Sequence, residues 1–318
     1  MHGHFPYAMI IAGNHRARRF AGARRMGDLV SLLQVDEKKC QRDGVCVAVC
    51  PARIIELNDS SPVPTPTADA EKMCIKCGHC VAVCRQGALS HRLFGPDTCA
   101  SVTADLALSV EHVEHLLRSR RSIRAYQERE VERETLAKLV DVAHYAPTGS
   151  NSQQVRWIVV DSRDEVQRTA GLVIEMMRQL VLDGHPLAAR FPVASLVKSW
   201  ESGTDRICRG APALIVAYSP KDSLRSPVDP VIALSFMDVA APSLGLGTCW
   251  AGYLMAAVPQ WPPLREALGL PDTETSLAAM MVGYPKYRYY RLPPRDEPHI
   301  LWRDTPSISC STRSILTC

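Results

Sequence analysis

Four closely spaced cysteines constrain this chain more than any other feature of its sequence. Residues 74–84 read CIKCGHCVAVC, with two, two and three residues between successive cysteines and a glycine at position 78. This spacing is typical of loops that bind a cubane four-iron cluster through cysteine thiolates. The candidate ligands in this copy of the motif are Cys74, Cys77, Cys80 and Cys84.

An imperfect second copy of the motif lies upstream. Residues 40–51 read CQRDGVCVAVCP, and both copies contain the segment CVAVC. Asp43 stands where the motif has its second cysteine, and a carboxylate is a harder, more exchangeable iron ligand than a thiolate. This site therefore holds either a four-iron cluster with Asp43 as a ligand, which we favour, or a three-iron cluster. Its candidate ligands are Cys40, Asp43, Cys46 and Cys50.

The tandem arrangement resembles the bacterial two-cluster ferredoxins. This resemblance implies that the fourth cysteine of each copy ligates the cluster of the other copy. Cys50 would then join Cys74, Cys77 and Cys80, while Cys84 would join Cys40 and Cys46. The alternative is a zinc ribbon, whose CxxC pairs also supply four sulfurs. The interleaved second copy favours two iron–sulfur clusters, because a ribbon requires no such copy.

The charge of the chain argues against a dedicated nucleic-acid binder. The sequence has 37 basic and 33 acidic residues, a net charge of +4. Residues 1–27 contain five arginines and no acidic residue, so the rest of the chain is close to neutral. We interpret this basic leader as a disordered extension, with an organellar transit peptide as the alternative.

Cysteine use and hydropathy indicate a cytoplasmic protein. Five of the 12 cysteines lie outside the two motifs and are scattered, which does not suggest a disulfide framework and fits a reducing compartment. No apolar run approaches the roughly 18 residues that a membrane span needs. We therefore expect no membrane association.

Composition divides the chain into two domains with a short tail. Residues 28–99 are predicted to form a small ferredoxin-like domain and residues 103–304 a larger one, while the polar tail 305–318 is interpreted as disordered. The proline-rich loop 60–69 cannot be a central strand. The predicted strands of the small domain are Leu29–Val35, Arg53–Leu57 and Ala88–Leu93.

The second domain opens with a helix and a basic segment. Apolar residues at helical spacing predict the helix over Leu106–Leu117. The following segment 118–126, RSRRSIRAY, crowds four arginines and two serines into seven residues. A solvated basic turn is one interpretation; we favour a clamp for a phosphate and for ring carbonyls. The strands predicted downstream are Val155–Val160, Ala213–Tyr218 and Leu277–Val282.

Four motifs, in order, resemble the nitroreductase superfamily of flavin enzymes. They are RRSIRAY, the segment Glu130–Val160, LGLGTCWAGY at 244–253 and GYPKYRYYRLP at 283–293. The resemblance implies an α+β fold with a mixed sheet flanked by helices, a homodimer, and bound FMN. It also implies that residues 172–206 form helices that cover the flavin and select the substrate. No GxGxxG fingerprint suggests a Rossmann cofactor site.

The resemblance also implies which residues bind FMN. The basic segment would grip the cofactor, the loop after the first long helix would approach the pyrimidine edge, and the segment after LGLG would bring backbone to N5. A basic residue before Leu-Pro would hold the phosphate. Departures from the usual pattern are Gln154 and Val155 in place of Pro-Trp, and Tyr289 at a second basic position. The implied cofactor-binding residues are Arg120, Ser122, Arg124, Asn151, Gln153, Ala251, Gly252 and Arg291.

Together these features predict an FMN-dependent oxidoreductase with a built-in two-cluster module. The clusters would relay electrons to FMN for reduction of an organic acceptor such as a nitroaromatic or quinone, with ferredoxin, flavodoxin or NAD(P)H as external donor. No side chain is assigned as a general acid or base. One alternative is an NAD(P)H-driven flavin reductase with the clusters as electron outlet, and another is a non-enzymatic iron–sulfur redox sensor.

Overall fold

The computed structural model describes residues 31–220, 228–271 and 274–303. It divides into two compact units, one up to Leu106 and the other from Ala107 onward. The predicted basic leader and disordered tail lie outside the described residues. No helix in the described part of the chain combines the length and apolarity needed to cross a membrane.

In its described residues, from position 31 onward, the first unit forms two small antiparallel ladders and three single-turn helices. Strand β1 (Leu33–Val35) pairs with β4 (Leu89–His91), and β2 (Ile55–Glu56) pairs with β3 (Thr65–Pro66). Their buried side chains form one core that includes Leu33, Ile55 and Leu89. The helices are α1 (Val45–Ala48), α2 (Ala70–Met73) and α3 (His79–Ala82).

The two cysteine motifs have the same local conformation. Gly44 and Gly78 precede α1 and α3 with φ of 72° and 76°, a left-handed conformation that glycine adopts without a steric penalty. Each glycine is followed two residues later by a cysteine, Cys46 or Cys80, inside the short helix. The sequence repeat is therefore also a structural repeat.

The three strands predicted in this unit are present, but each is shorter than predicted. The proline-rich loop contributes Thr65–Pro66, which pairs only with β2. A two-stranded ladder has no central strand, so Pro66 costs no interior hydrogen bond. The strand predicted from Leu29 starts at Leu33, and residues 29 and 30 lie outside the described part.

Within the described ranges, the second unit is built on a four-stranded sheet with the order β5-β6-β8-β7. All three pairings are antiparallel, a difference in detail from the mixed sheet expected, while the α+β architecture is confirmed. Three of the four strands were predicted, and the one formed by GTCW was not. The strands are β5 (Arg156–Val160), β6 (Ala213–Pro220), β7 (Gly247–Trp250) and β8 (Glu274–Gly283).

Helices cover both faces of this sheet. Leu214 and Val216 of β6 pack into one apolar cluster, and Ile215 and Ala217 pack into the other, because alternate residues of a strand point to opposite faces. A strand buried on both faces reads as a continuous apolar run, which is why β6 was visible in the sequence. The longer helices are α4 (Val110–Ser119), α5 (Arg133–Ala143), α6 (Arg163–Leu182), α8 (Val193–Glu201) and α9 (Asp229–Ala240). The short ones are α7 (Pro186–Arg190), α10 (Gly252–Ala257) and α11 (Pro262–Ala267).

The first helix of this unit begins later than predicted, at Val110 instead of Leu106. Leu106 belongs to a 3-10 turn, Ala104–Leu106, and α4 begins after Ser109, whose hydroxyl accepts the His112 N–H. A serine at this position satisfies an N–H group that the first helical turn leaves unpaired. No residue of α4 is buried, so its apolar stripe faces away from the described core.

Two basic motifs far apart in sequence run side by side at one edge of the sheet. The Ile123 N–H donates to the Thr248 carbonyl of β7 (2.8 Å), and the Lys286 N–H donates to the Ala125 carbonyl (3.0 Å). Gly247 allows this approach, since a Cβ there would lie 2.3 Å from Ile123 Cγ1. The segments RRSIR and KYR are therefore neighbours.

Candidate functional site

One cleft in the first unit is lined by cysteines from both motifs. Cys74, Cys77 and Cys80 of the second motif share it with Cys50 of the first. These are the four residues that the ferredoxin resemblance groups together, and their role as ligands remains a prediction. Within the described residues, no group of three or more His, Cys, Asp or Glu side chains converges to hold a single metal ion. A cluster offers each thiolate a different iron, so its ligands surround a space instead of one point.

Three candidate ligands of the other cluster, Asp43, Cys46 and Cys84, influence one another electrostatically. Burial raises the pKa of the Cys46 thiol, and the charges of Asp43 and Cys84 raise it further. Asp43 is exposed, and one of its carboxylate oxygens accepts a hydrogen bond from the Val45 N–H (3.2 Å). Burial likewise raises the pKa of Cys80 to about 11, with added contributions from Cys77 and Cys50. Thiolates held so close together need a positive partner, which iron provides, so the donor sets fit clusters.

His91 lies beside this cleft and is oriented by the backbone. Its Nδ1 accepts the Leu93 N–H (3.1 Å), so the neutral ring carries its proton on Nε2. That Nε2 lies 3.8 Å from the Cys74 sulfur. Burial lowers the pKa of His91, and the charges of Arg92 and Lys76 lower it further. The ring also stacks on Phe94 at a centroid distance of 4.8 Å, which holds the Nε2–H toward the sulfur.

The second unit has a cavity of about 500 Å³, here called the basic cavity, between the two basic motifs. Four cationic side chains line it: Arg120, Arg121, Lys286 and Arg288. The one acidic residue in the described lining is Asp238, which pairs with Arg120 (N–O 3.1 Å) and accepts the Thr248 hydroxyl. Asp238 thus orients Arg120, while the cavity keeps a net positive charge suited to a phosphate.

A second cavity of about 470 Å³, here called the apolar cavity, begins where the basic one ends along β7. Arg124, Trp250 and Gly252 line it, together with apolar side chains of α6 and α7. An added Cβ at Gly252 would meet no described atom within 4 Å, so a flat ring can approach the backbone there. An apolar wall with a few polar groups is the usual form of a small-molecule site.

The backbone of Ala251, unlike that of Gly252, is not open to a ligand. Its N–H donates to the Ala279 carbonyl (2.9 Å), and its own carbonyl accepts the Met255 N–H (2.9 Å). The residue is 1% exposed. The fold therefore uses both polar groups of Ala251, and of the predicted pair Ala251 and Gly252 the structure places only Gly252 at a cavity.

The loop that carries Asn151 and Gln153 is strained and anchored. Ser150, Asn151 and Gln153 all have φ between 50° and 53°, which non-glycine residues adopt at a cost of roughly 1–3 kcal/mol each. The buried carboxylate of Asp229 accepts the Gly149 N–H (3.2 Å). The Gln153 amide donates to the Asn151 side chain (3.3 Å), and the buried Ser152 hydroxyl has no partner among the described residues. Neither Asn151 nor Gln153 belongs to the described lining of the basic cavity or of the apolar cavity.

The remaining predicted residues lie elsewhere. Ser122 lines neither cavity, and Arg291 is exposed on the segment after β8. Lys286 and Arg288, which sequence reasoning missed, line the basic cavity, whereas Arg291 does not belong to its described lining. The available signal was a Lys-Tyr-Arg triplet directly after Gly-Tyr-Pro. Asp238 and Thr248 had no sequence signal, because their roles depend on the pairing of distant segments.

Comparison with protein families matches both units. A model described as the nitroreductase family matches residues 117–284, more than half of the chain. A model described as a 4Fe-4S dicluster domain matches residues 32–85. Both resemblances seen in the motifs are therefore confirmed.

Individual relatives and solved structures align with more than half of this chain. A protein of Archaeoglobus fulgidus, named as an NADH dehydrogenase/NAD(P)H nitroreductase, is 24% identical over 59% of this chain and 95% of its own length. An FMN reductase (NAD(P)H) of Bacillus subtilis is 28% identical over 56% of this chain and 67% of its own length. A crystal structure of a Desulfitobacterium hafniense nitroreductase with bound FMN covers 62% of this chain and 100% of its own, at 22% identity and a TM-score of 0.49.

Proposed function

This chain belongs to the nitroreductase family and carries a 4Fe-4S dicluster domain, and from that premise we propose that it is an FMN-dependent oxidoreductase fed by its own clusters. When bound, the clusters supply one-electron transfer and FMN supplies two-electron reduction of an organic acceptor such as a nitroaromatic or quinone. The observation that carries the proposal is the basic cavity, where four cations face one carboxylate next to an apolar cavity.

The residues around these cavities fit the chemistry of FMN. Arg120, Arg121, Lys286 and Arg288 would hold the phosphate, since guanidinium groups bind phosphate through paired hydrogen bonds. Asp238 keeps Arg120 in place. Arg124 and the open backbone at Gly252 would face the isoalloxazine ring, and the apolar wall would exclude water. Arg291 remains a candidate phosphate ligand only if the segment after β8 changes position.

The candidate cluster ligands are the two sets described above. We propose four-iron clusters at both sites, with Asp43 completing the set of Cys40, Cys46 and Cys84. A three-iron cluster, in which Asp43 is not a ligand, is the competing state of that site. The charges of Asp43 and Cys84 both raise the pKa of the Cys46 thiol, which supports the first assignment.

We propose that the protein is a homodimer in which each flavin site uses both chains. The apolar residues Val110, Val113 and Leu117 of α4 are exposed, Leu117 by 52%. Tyr289, Tyr290 and Trp302 on the segment after β8 are also exposed, Trp302 by 83%. Large exposed apolar surface of this kind usually meets a partner. Asn151 lies outside the described linings of the basic and apolar cavities, which is consistent with a role in the site of the second copy.

The electron donor is a separate proposal. A ferredoxin or flavodoxin would deliver electrons through the clusters, while NAD(P)H would reduce the flavin directly and leave the clusters as an outlet. The names of the relatives, which include NAD(P)H, favour testing the second route. No disulfide joins the cysteines of the described part, which is consistent with a reducing, cytoplasmic location.

The test of this proposal is flavin content after anaerobic purification. Arg288→Ala should weaken FMN binding by about ten- to a hundredfold, because each charge-assisted hydrogen bond to phosphate contributes roughly 1.5–3 kcal/mol. Iron and sulfide content should stay unchanged. Arg291→Ala is the matched control, three residues away on the same exposed segment.

The outcomes separate the assignments. Normal FMN retention by Arg288→Ala would refute the basic cavity as the phosphate site. Loss of FMN from Arg291→Ala would show that Arg291 binds the phosphate. Purified protein that contains clusters but no flavin would support the redox sensor. Bleaching of the flavin by NADH alone would establish the direct route.

A further inference from the structure

The apolar cavity contains more positive charge than the flavin ring requires. Three arginines line it, Arg124, Arg206 and Arg209, and its described lining includes no aspartate or glutamate. Arg124 comes from the basic segment already assigned to the cofactor. Arg206 and Arg209 come from a different part of the chain, the loop that leads into β6.

This loop is held rigidly by one carboxylate. Asp205 accepts the N–H groups of Ile207 (2.8 Å), Cys208 (2.9 Å) and Gly210 (3.0 Å). The side chains of Ile207 and Cys208 are buried below it. Because these hydrogen bonds fix the backbone of the turn, they also fix where Arg206 and Arg209 start at the cavity wall.

Arg209 has a backbone conformation that is unfavourable for arginine. Its φ is 59°, in the left-handed region that glycine and asparagine adopt more readily than arginine. A residue with a strained backbone at the wall of a cavity is a reason to look for a binding role. The strain is local and is borne by the turn that Asp205 fixes.

Among the described residues, neither the Arg206 nor the Arg209 guanidinium has an anionic partner. Arg206 donates to the Ser195 hydroxyl (3.3 Å), and Arg209 has no hydrogen bond or ion pair within the described ranges. Both side chains are half-buried beside an apolar wall that includes Met176 and Phe191. Cations in such a setting bind an anion more strongly than cations in open water do.

We propose that the apolar cavity is the acceptor pocket and that it selects flat apolar molecules carrying a carboxylate. The apolar body packs on the side chains of α6 and α7, and the carboxylate binds Arg209 and Arg206. This assignment rests on the proposed function only for the statement that the bound molecule is reduced. Binding is measured without any reduction, so the two can fail separately.

The experiment compares two probes of nearly equal shape on the oxidised full-length protein containing FMN and clusters. Isothermal titration with 4-nitrobenzoate and 4-nitrobenzamide should show the carboxylate binding at least tenfold more tightly. Arg209→Gly removes the guanidinium and relieves the left-handed backbone, so folding is not at risk. It should weaken 4-nitrobenzoate binding about ten- to a hundredfold and leave 4-nitrobenzamide within twofold.

Arg168→Gln is the matched control, because Arg168 lies on α6 in a surface pair with Glu165 and does not line the apolar cavity. It should change neither affinity. Equal binding of the two probes, or a preference that survives both Arg209→Gly and Arg206→Gln, would overturn the proposal. Release of FMN by Arg209→Gly would also overturn it, since the arginine would then belong to the cofactor site.

Discussion

His91 is a buried polar side chain in contact with a proposed cluster ligand. A hydrogen bond to a cluster sulfur stabilises the more negative, reduced state and so raises the reduction potential. The Leu93 N–H fixes which ring nitrogen carries the proton toward Cys74. This effect does not depend on protonation of the second nitrogen, because Nε2 carries hydrogen in both forms.

Replacing His91 by leucine should lower the potential of the cluster bound through Cys74. A change of about tenfold in the reduction equilibrium, about 59 mV for one electron, is expected. An EPR-monitored redox titration measures it, with His91→Gln as the variant that retains a donor. The exposed His144 provides the control, and a potential unmoved by His91→Leu would show that the contact has no electrostatic effect.

Asp43 offers a second test at this scale. Because thiolate binds iron more firmly than carboxylate, Asp43→Cys should raise the iron content or the air stability of the first-motif cluster. Iron analysis and EPR on anaerobic and air-exposed samples measure the change. Unchanged iron content and spectra in the variant would count against Asp43 as a ligand.

Among the elements, β7 determines how the two cavities are arranged. Its residues Gly247 and Thr248 line the basic cavity, and Cys249 and Trp250 line the apolar one. The strand also receives the hydrogen bond from Ile123 that aligns the basic segment. One short strand therefore positions both parts of the proposed flavin site.

Two glycines in this region should respond oppositely to alanine. At Gly247 an added Cβ would lie 2.9 Å from Pro285 Cγ and closer still to Ile123, so Gly247→Ala should destabilise the second unit by roughly 1–3 kcal/mol. At Gly252 the space is open, so Gly252→Ala should leave stability unchanged and weaken FMN binding. Denaturant unfolding and FMN titration measure the two effects. Equal stability loss in both variants would contradict this assignment of the open space.

At the scale of the whole molecule, the exposed stripe of α4 predicts self-association. Sedimentation should give a dimer, and Leu117→Glu should shift it toward monomer because a charge cannot be buried there without a partner. Leu182→Glu, on an exposed position at the end of α6, is the control. A wild-type monomer that retains its flavin would contradict both the dimer and the shared site.

Much of the architecture could be predicted because it depends on local patterns. Cysteine spacing identified the cluster motifs, and apolar runs identified β6 and β8, since strands buried on two faces need continuous apolar sequence. Strand β7 was missed because it is four residues long and contains a glycine, a threonine and a cysteine with no clear alternation. The helix before the basic segment was found, but its first turn was misplaced by the 3-10 turn at Ala104–Leu106.

The sequence by itself determined the chemistry available: thiols at cluster spacing, arginines at a phosphate-binding density, and the order of the two domains. Only the tertiary structure decided which of those groups meet. It brought Cys50 to the second motif, put Lys286 and Arg288 beside Arg120, and used the Ala251 amide within the sheet. The reason is physical, because spacing along the chain controls local conformation, whereas long-range strand pairing decides which polar groups are already bonded and which remain open to a ligand.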